Sequence, residues 1–533
     1  MSSARSGVVL TALAAGQFLM TLDSSVMNVS MAHVAADLGT TITGIQTAIT
    51  LYTLVMASTM ITGGKLGGLL GHRRALAGGL IVYGAGSFTT ALAPNLGVLL
   101  LGWSVLEGLG AALIMPAIVA LVAGNFPAGK RTAAYGSIAA AGAAAVAAGP
   151  LIGGAVTTFA SWRYVFLGEV VLVVIILLVV RRIAPVAAEP GRLDPLGSLL
   201  SMLGLGLIVF AVLRSGEWGW VRAAPAGPHW LGLSPVIWLL LAGLATLYGF
   251  LRWETRRTAS GRDPLLDVAL LRNRQLTGGL GMFFAQFLVQ AGVFFAVPLY
   301  LSVVLELSAL ETGLRVLPLS AALVLAALGI PKAWPDASPR RTVRAGLVLM
   351  SAGIIVLVAG LDPGADARVV TIPMLLLGLG LGALSAQLGA TTVSAVPDTR
   401  SDEVGGLQNT ATGLGASLGT ALIGSVLIGT LTTSVLADIQ NNPDIPDSVR
   451  QQATTQLAQG VPFISNTQLS QSLAAAGVSD ATASTLVEIN TDARFDALRT
   501  ALSVTAVLSV ATLFGTGRLP RRIRAAAADS GAA

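Results

Sequence analysis

Apolar residues in this chain gather into long blocks separated by short polar stretches. Fourteen blocks lie near 7–33, 44–66, 74–92, 97–122, 133–157, 162–181, 194–213, 233–252, 276–301, 311–330, 343–361, 370–391, 404–432 and 497–516. A helix needs about 20 mainly apolar residues to cross a bilayer, so the pattern predicts an all-α membrane protein with fourteen transmembrane helices. Two stretches interrupt the rhythm. Ala184 to Pro195 is a proline-bearing linker after the sixth block, and 433–496 is far longer and more polar than any other break. Within that long segment, Ser448 to Ala458 and Ser479 to Leu486 combine polar starts with helical spacing and predict short helices. The segment is either a lid over a substrate vestibule or a tolerated insertion.

The first block contains the most informative polar residues. Leu22 to Met31 reads Leu-Asp-Ser-Ser-Val-Met-Asn-Val-Ser-Met, which puts Asp23 inside the hydrocarbon zone and Asn28 just over a turn further on. Placing an ionised carboxylate there costs about 3 kcal/mol or more. Either Asp23 faces an aqueous cavity and carries protons, or it hydrogen-bonds a neighbouring helix and only holds packing together.

Composition narrows the class further. Hydrophobic residues make up 54% and charged residues 11%, where soluble domains average about 25% charged, which supports a polytopic membrane protein. The absence of cysteine removes disulfides, zinc–thiolate sites and thiol catalysis, and three histidines without a cluster argue against a metal enzyme. No cofactor is expected. The net charge of +6 does not point to nucleic acid, because the charges sit in the short loops. With the N-terminus cytoplasmic, 24 of the 32 Lys and Arg fall on the inside, so both termini are expected in the cytoplasm of a multi-pass inner-membrane protein. The N-terminal apolar run is too long for a signal peptide and reads as the first span.

Gly124 to Lys130 nearly matches a phosphate loop, but Arg131 stands where Ser or Thr must hold magnesium, which excludes ATP binding there. The glycine-rich run Leu377 to Gly382 lies within a span and reads as close helix packing. After the second span, Gly63 to Arg74 combines spaced glycines with a basic cluster. In the fifth span, Gly149 and Gly153 form a small-residue face, and Pro150 removes one backbone hydrogen bond and bends the helix. That suits a hinge between bundles, and equally plain packing.

Together these stretches resemble the major facilitator superfamily, in particular its fourteen-helix drug:proton antiporters. The resemblance rests on Leu22-Asp23 with Asn28, on Gly64-Lys65-Leu66 with Gly71 and Arg73, and on Gly149-Pro150 with Gly153-Gly154. It extends to Ser161-Trp162-Arg163 with Phe166, Pro264 to Asp267 with Arg272-Asn273-Arg274, and Thr312-Gly313-Leu314 with Pro318. It implies two six-helix bundles at 1–183 and 276–533, with a linker and two inserted helices at 184–275. It also implies export of amphipathic or cationic drugs in exchange for protons by alternating access. Three positions depart from the family pattern: Gly68 replaces an Asp, Ser104 replaces an Arg four residues before Gly108, and Ala32 replaces a Pro. In the family's terms, the first weakens the usual charge latch between helices two and eleven, and the second weakens the usual account of proton coupling, in which that Arg tunes a nearby acid.

The chain adds Glu107 beside Gly108, and Glu169 in the sixth span. At 1.5 Å per residue, Asp23 and Glu107 lie at similar depth, about 10–15 Å below the outer face, where two acids disfavour joint ionisation. Glu169 either joins them or answers Arg163. Asp23, Glu107 and Glu169 are therefore the candidate proton or cation acceptors. Gln17, Asn28, Gln286, Gln290, Gln387 and Asn409 are candidate cavity residues. Gly64, Lys65, Gly71, Arg73, Gly149, Pro150, Gly153 and Gly154 are the candidate hinge and loop positions. The expected partners are a small amphipathic substrate, protons and membrane lipid, with the protein a monomer. Two rivals remain: a lipid or lipid-like export carrier with weak or no proton coupling, and a polytopic receptor or enzyme, for which no catalytic constellation is present.

Overall fold

The computed structural model describes residues 3–40, 42–185, 188, 191–223, 227–362, 364–397, 400–443, 445, 447, 450–451, 461 and 463–521. The side chains of some helical residues, Asn28 and Pro150 among them, lie outside that description. Helix α1 is Ser3–Asp37, α2 Ile42–Leu70 and α3 His72–Ala91. Helix α4 covers Leu96–Asn125 and includes a π-helical stretch, Leu100–Glu107. Then come α5 (Ala128–Phe159), α6 (Arg163–Val180), α7 (Pro195–Trp218) and α8 (Pro235–Ala259). The second half holds α9 (Arg274–Leu299), α10 (Ala309–Ala333), α11 (Pro339–Gly360) and α12 (Thr371–Val393). It ends with α13 (Ser401–Asn441), the short α14 (Asn466–Ala475) and α15 (Asp480–Gly515).

Local chemistry sets the ends of these helices. Asn95 accepts from the Val98 N–H at 3.1 Å to start α4, and Asn273 caps α9 through Gln275 and Leu276. Ser308 and Glu311 close a capping box on α10, so Glu311 is engaged with its own helix start. The turn between α2 and α3 needs φ +84° at Gly71, a conformation glycine adopts without steric cost.

Among the described residues, thirteen helical segments are long and apolar enough to cross a membrane. Helix α3 falls short in apolarity because it opens on His72, Arg73 and Arg74 and carries many small residues. Other helices run past their apolar parts: α1 to Asp37, α13 to Asn441, and α15 from Asp480. Hydropathy marks only the portion of a helix that meets lipid, so 433–496, expected as a loop, includes two helix ends. Ser479 caps α15 where a short helix was expected, whereas the expected helix at Ser448 to Ala458 lies mostly outside the described residues.

The two halves repeat one packing scheme. Helix α1 packs on α5, α2 and α3 on α4, and α3 on α6; in the second half, α9 packs on α13, α10 and α11 on α12, and α11 on α15. Such internal repeats are a common design in secondary transporters. The inserted pair, α7 and α8, packs together, and α7 lies against both α2 and α13. On the face where α1 begins, called the base here, one buried apolar cluster takes Val119, Tyr135 and Ile138 from the first half and Ala390, Val393 and Val404 from the second. Towards the far face, the cluster around Met27, Ile45, Trp103 and Phe166 has first-half members alone. The halves therefore share a buried cluster at the base, and a second cluster joins Ala140 and Ala143 of α5 to the core of the second half.

Charges reinforce the shared base. Lys65 of α2 lies within electrostatic reach of Glu403 of α13, and Glu403 accepts from the Asp267 N–H at 3.1 Å. Asp267 is in turn bonded by Arg400. Burial pushes the Asp267 carboxyl up, but Arg400 and the Ala269 N–H outweigh it and hold it below its ordinary value. A depressed carboxyl contributes its stability above its unfolded pKa and loses it only as pH falls through the folded one, so this tie persists at neutral pH.

The polar far-face segment is built into the second half. Ile445 and Val461 are buried, and the Val461 N–H donates to Thr432. Arg494 of α15 is fully buried; it donates to the Ile464 carbonyl at 2.8 Å and to the Asn466 side chain. Removing Asn442 to Asp480 would take the Ile464 and Asn466 partners from this buried guanidinium, which does not fit a freely dispensable insertion. Arg494→Met is expected to cost about 3 kcal/mol and lower the unfolding midpoint of the purified protein. Arg368→Ala, which removes an exposed pair with Asp366, should cost under about 1 kcal/mol. Equal midpoints for the two variants would disprove the anchoring role of Arg494.

Candidate functional site

The first half buries its polar residues around α4. Within the π-helical stretch of α4, Gly102, Trp103, Ser104 and Glu107 all turn inward. A π-helical turn takes more residues than an α turn, so Trp103 and Glu107 stay close to one face, and such stretches recur at functional sites. Gly86 of α3 makes room for them: a Cβ there would lie 2.6 Å from Cγ of Glu107 and 2.7 Å from the Gly102 carbonyl.

Asp23 of α1, Glu107 of α4 and Glu169 of α6 meet in this space, one carboxylate oxygen from each lying within 4.8 Å of the others. Their exposures are 0%, 0% and 2%, so none reaches the surface in this conformation. Trp103 donates its indole N–H to Oδ1 of Asp23 at 2.8 Å, and Tyr52 stacks on the same indole at 5.1 Å between centroids. Ser87 donates to Oε2 of Glu169 at 3.2 Å. Oδ2 of Asp23, both oxygens of Glu107, Oε1 of Glu169 and the Tyr83 hydroxyl have no hydrogen-bond partner. Among the described residues, the groups that act on the three carboxyls are Trp103, Tyr83, Ser87 and one another, with no cation. Like charges this close cannot all persist without a counter-charge, so the trio must hold protons or take a small cation in their place.

Other predicted residues occupy different places. Glu169 does not answer Arg163. That guanidinium binds Asp37 and the Ala93 carbonyl at the far face and holds the Asp37 carboxyl below its usual range. Ser104, in place of the family arginine, donates to the Ala48 carbonyl at 2.8 Å and ties α4 to α2. Gln286 is buried and donates to Ser385 at 3.3 Å, while Gln290, one turn on, is half-buried. Gln387 and Asn409 are buried, and Asn409 donates to its own helix at Gly405. Gln17 is half-buried and donates to Thr21. No hydrogen bond among the described residues joins these candidates to one another. The side chain of Asn28 lies outside the described residues.

The glycine motif of α5 faces α1. A Cβ on Gly149 would lie 2.2 Å from Oγ of Ser25, and one on Gly153 would lie 2.9 Å from Val26. Gly154 is half-buried beside them, and the helix continues through Pro150, whose side chain is outside the described residues. Gly64 is buried in α2, and Lys65 and Gly71 occupy the base as described above. Arg73 donates to the Ile183 carbonyl at the end of the first half.

Sequence reasoning missed Trp103, Tyr83, Tyr52 and Ser87. A tryptophan in mid-span was the available signal, because a buried indole N–H usually finds a partner.

The family model of the Major Facilitator Superfamily matches residues 13–420. The cephamycin export protein CmcT of Amycolatopsis lactamdurans is 31% identical over 431 residues, covering 79% of this chain and 85% of that protein. The puromycin resistance protein pur8 of Streptomyces alboniger is 30% identical, with 81% and 84% covered. The multidrug efflux pump LfrA of Mycolicibacterium smegmatis is 28% identical, with 86% of each chain covered. The human organic anion transporter MFSD10 shares the fold at a TM-score of 0.57 and 12% identity, over 96% of this chain and 99% of that one. With the family match running through most of its helices, the chain belongs to the major facilitator superfamily, as a multi-pass membrane transporter and not an enzyme.

Proposed function

We propose that the protein exports amphipathic or cationic small molecules across the inner membrane, by alternating access coupled to protons. The observation that carries the coupling is the buried Asp23–Glu107–Glu169 trio with no cation acting on it. Export is supported by relatives named for antibiotic resistance and export. In this reading α3 is the fourteenth span and the base faces the cytoplasm, as the distribution of Lys and Arg favours.

The geometry offers a route from proton to movement. Protons on the trio neutralise it; loss of one leaves a negative charge that its neighbours must solvate. Asp23 sits two and three residues before Ser25 and Val26, which pack on Gly149 and Gly153 of α5. Helix α5 also packs along α10 and α12 of the opposite half. A change in how α1 is held near Asp23 is thus passed to the seam between halves through a contact with no slack for a Cβ. Gln290 and Gln17, both half-buried, meet a polar substrate group in this reading.

Asp23→Asn is expected to abolish proton-driven export in inverted vesicles while protein level and thermal stability stay close to wild type. Normal transport by the variant would reduce Asp23 to a packing residue. If export by the wild type persists without a proton gradient, the weakly coupled carrier is the correct reading.

Glu107→Gln should shift the pH midpoint of transport downward. The substitution removes one of the three carboxyls that oppose one another's ionisation. A proton-dependence profile that does not move on Glu107→Gln would separate Glu107 from coupling.

A further inference from the structure

The second half carries a basic pocket that the transport site does not use. It lies at the base, between the α10–α11 turn and the end of α15, with a volume of about 840 Å³. Four guanidiniums line it: Arg340, Arg341, Arg344 and Arg521. Asp336 is the single acid on the lining. Arg340 donates to the carbonyls of Thr516 and Gly517, and Arg344 to the Thr516 hydroxyl. These acceptors are neutral, so the bonds fix the guanidiniums in place without cancelling their charge.

The internal repeat separates what the fold requires from what it does not. Arg73 lies eight residues after Lys65, and Arg340 lies eight residues after Lys332. Arg73 donates to the Ile183 carbonyl just beyond α6, as Arg340 does to Thr516 just beyond α15. One arginine in each half therefore closes the end of the sixth helix. Arg341 has a counterpart in Arg74, but Arg344 has none, since the matching first-half position is Ala77. Arg521 belongs to the segment after the last helix and is exposed. The extra charge is specific to this pocket.

The start of α11 adds donors. Ser338 is its cap residue, yet its hydroxyl accepts no backbone N–H, and the oxygen is buried without a partner. With Pro339 in the first position, the N–H groups of Arg340 and Arg341 remain available at the positive end of a 22-residue helix. Guanidinium forks, backbone N–H groups and one hydroxyl are the donor set for a phosphate oxyanion.

The position identifies the source of the phosphate. The pocket sits at the ends of three membrane helices, which is head-group depth in whichever leaflet meets the base. Trp334 beside it is 66% exposed, as suits an amphipathic ring at the membrane interface. On the preceding turns of α15, Phe514 is 86% exposed and Val507 68%, an apolar surface for acyl chains. We propose that this pocket binds the phosphate head group of an anionic phospholipid.

The test uses the full-length purified protein with phosphatidylglycerol, phosphatidylcholine or inorganic phosphate, reading retained lipid by native mass spectrometry and the thermal unfolding midpoint. Phosphatidylglycerol should be retained at a site that phosphatidylcholine does not fill, and should raise the midpoint. Arg341 and Arg521 make no intramolecular hydrogen bond among the described residues, so the double variant Arg341→Ala, Arg521→Ala should fold. It should weaken phosphatidylglycerol binding about 25-fold, at about five-fold for each surface charge removed. Raising salt to about 0.5 M should release the lipid from the wild-type protein, because screening shortens the reach of these charges. Equal retention of the two lipids, or unchanged binding by the double variant, would overturn the proposal. Displacement of the lipid by millimolar inorganic phosphate would assign the pocket to a soluble anion instead.

Discussion

The first half is organised by the cost of enclosing three carboxyls away from the surface, with no cation among the described groups that act on them. An ionised carboxylate in such a place is unfavourable by several kcal/mol, and a second one within 5 Å compounds the cost. The surroundings of Asp23, Glu107 and Glu169 answer that constraint with hydrogen-bond donors in place of countercharge. Trp103 and Ser87 each supply one bond, and Gly86 yields the volume that Glu107 occupies. Helix α4, which carries Trp103, Ser104 and Glu107, is the most enclosed of the spans, 72% buried against 17% for the peripheral α8. The unpartnered oxygens that remain show that this is not a fully satisfied packing network, which would have every donor and acceptor matched.

From that centre outward, small residues govern how the helices meet. In lipid there is no hydrophobic drive for one helix to leave hydrocarbon for another, so close contact comes from backbones that can approach. Gly149 and Gly153 against Ser25 and Val26 are such contacts, and they lie next to Asp23 in sequence. At the base, association between halves relies on a shared apolar cluster together with Lys65, Glu403, Asp267 and Arg400. The missing acid at position 68 does not leave this seam without charge. Lys65 of α2 lies within electrostatic reach of Glu403 of α13, and Glu403 accepts from Asp267 of the strap before α9. Charges at such a rim are easily exchanged with water.

The inserted helices belong to the same logic. Asp194 accepts from Trp253 and pairs with Arg257, and Glu254 accepts the N–H groups of Leu265 and Leu266. These bonds join α7 to α8 and hold the strap that leads into α9. Since α7 rests on both α2 and α13, the pair spans the seam that the strap also borders. The far-face segment plays a comparable part in the second half, where Arg494 fastens it to α15.

The sequence by itself determined the membrane class, the helical fold, nearly all the spans and the family, because a bilayer imposes length and apolarity on each crossing segment separately. Asp23, Glu107 and Glu169 were legible for the same reason: an acid inside an apolar run stands out without reference to any neighbour. Helix ends at Asp37, Asn441 and Asp480 were not legible, since outside the hydrocarbon a helix carries no hydropathy signal. Tertiary structure alone decided that the three acids meet, that Arg163 goes to Asp37 and not to Glu169, and that Trp103 is the donor to Asp23. It alone placed Lys65 near Glu403 across the seam and turned a polar far-face segment into the partner of a buried arginine. Those outcomes depend on the rotation and depth of separate helices, set by packing between residues up to hundreds of positions apart, and no local pattern along the chain records them.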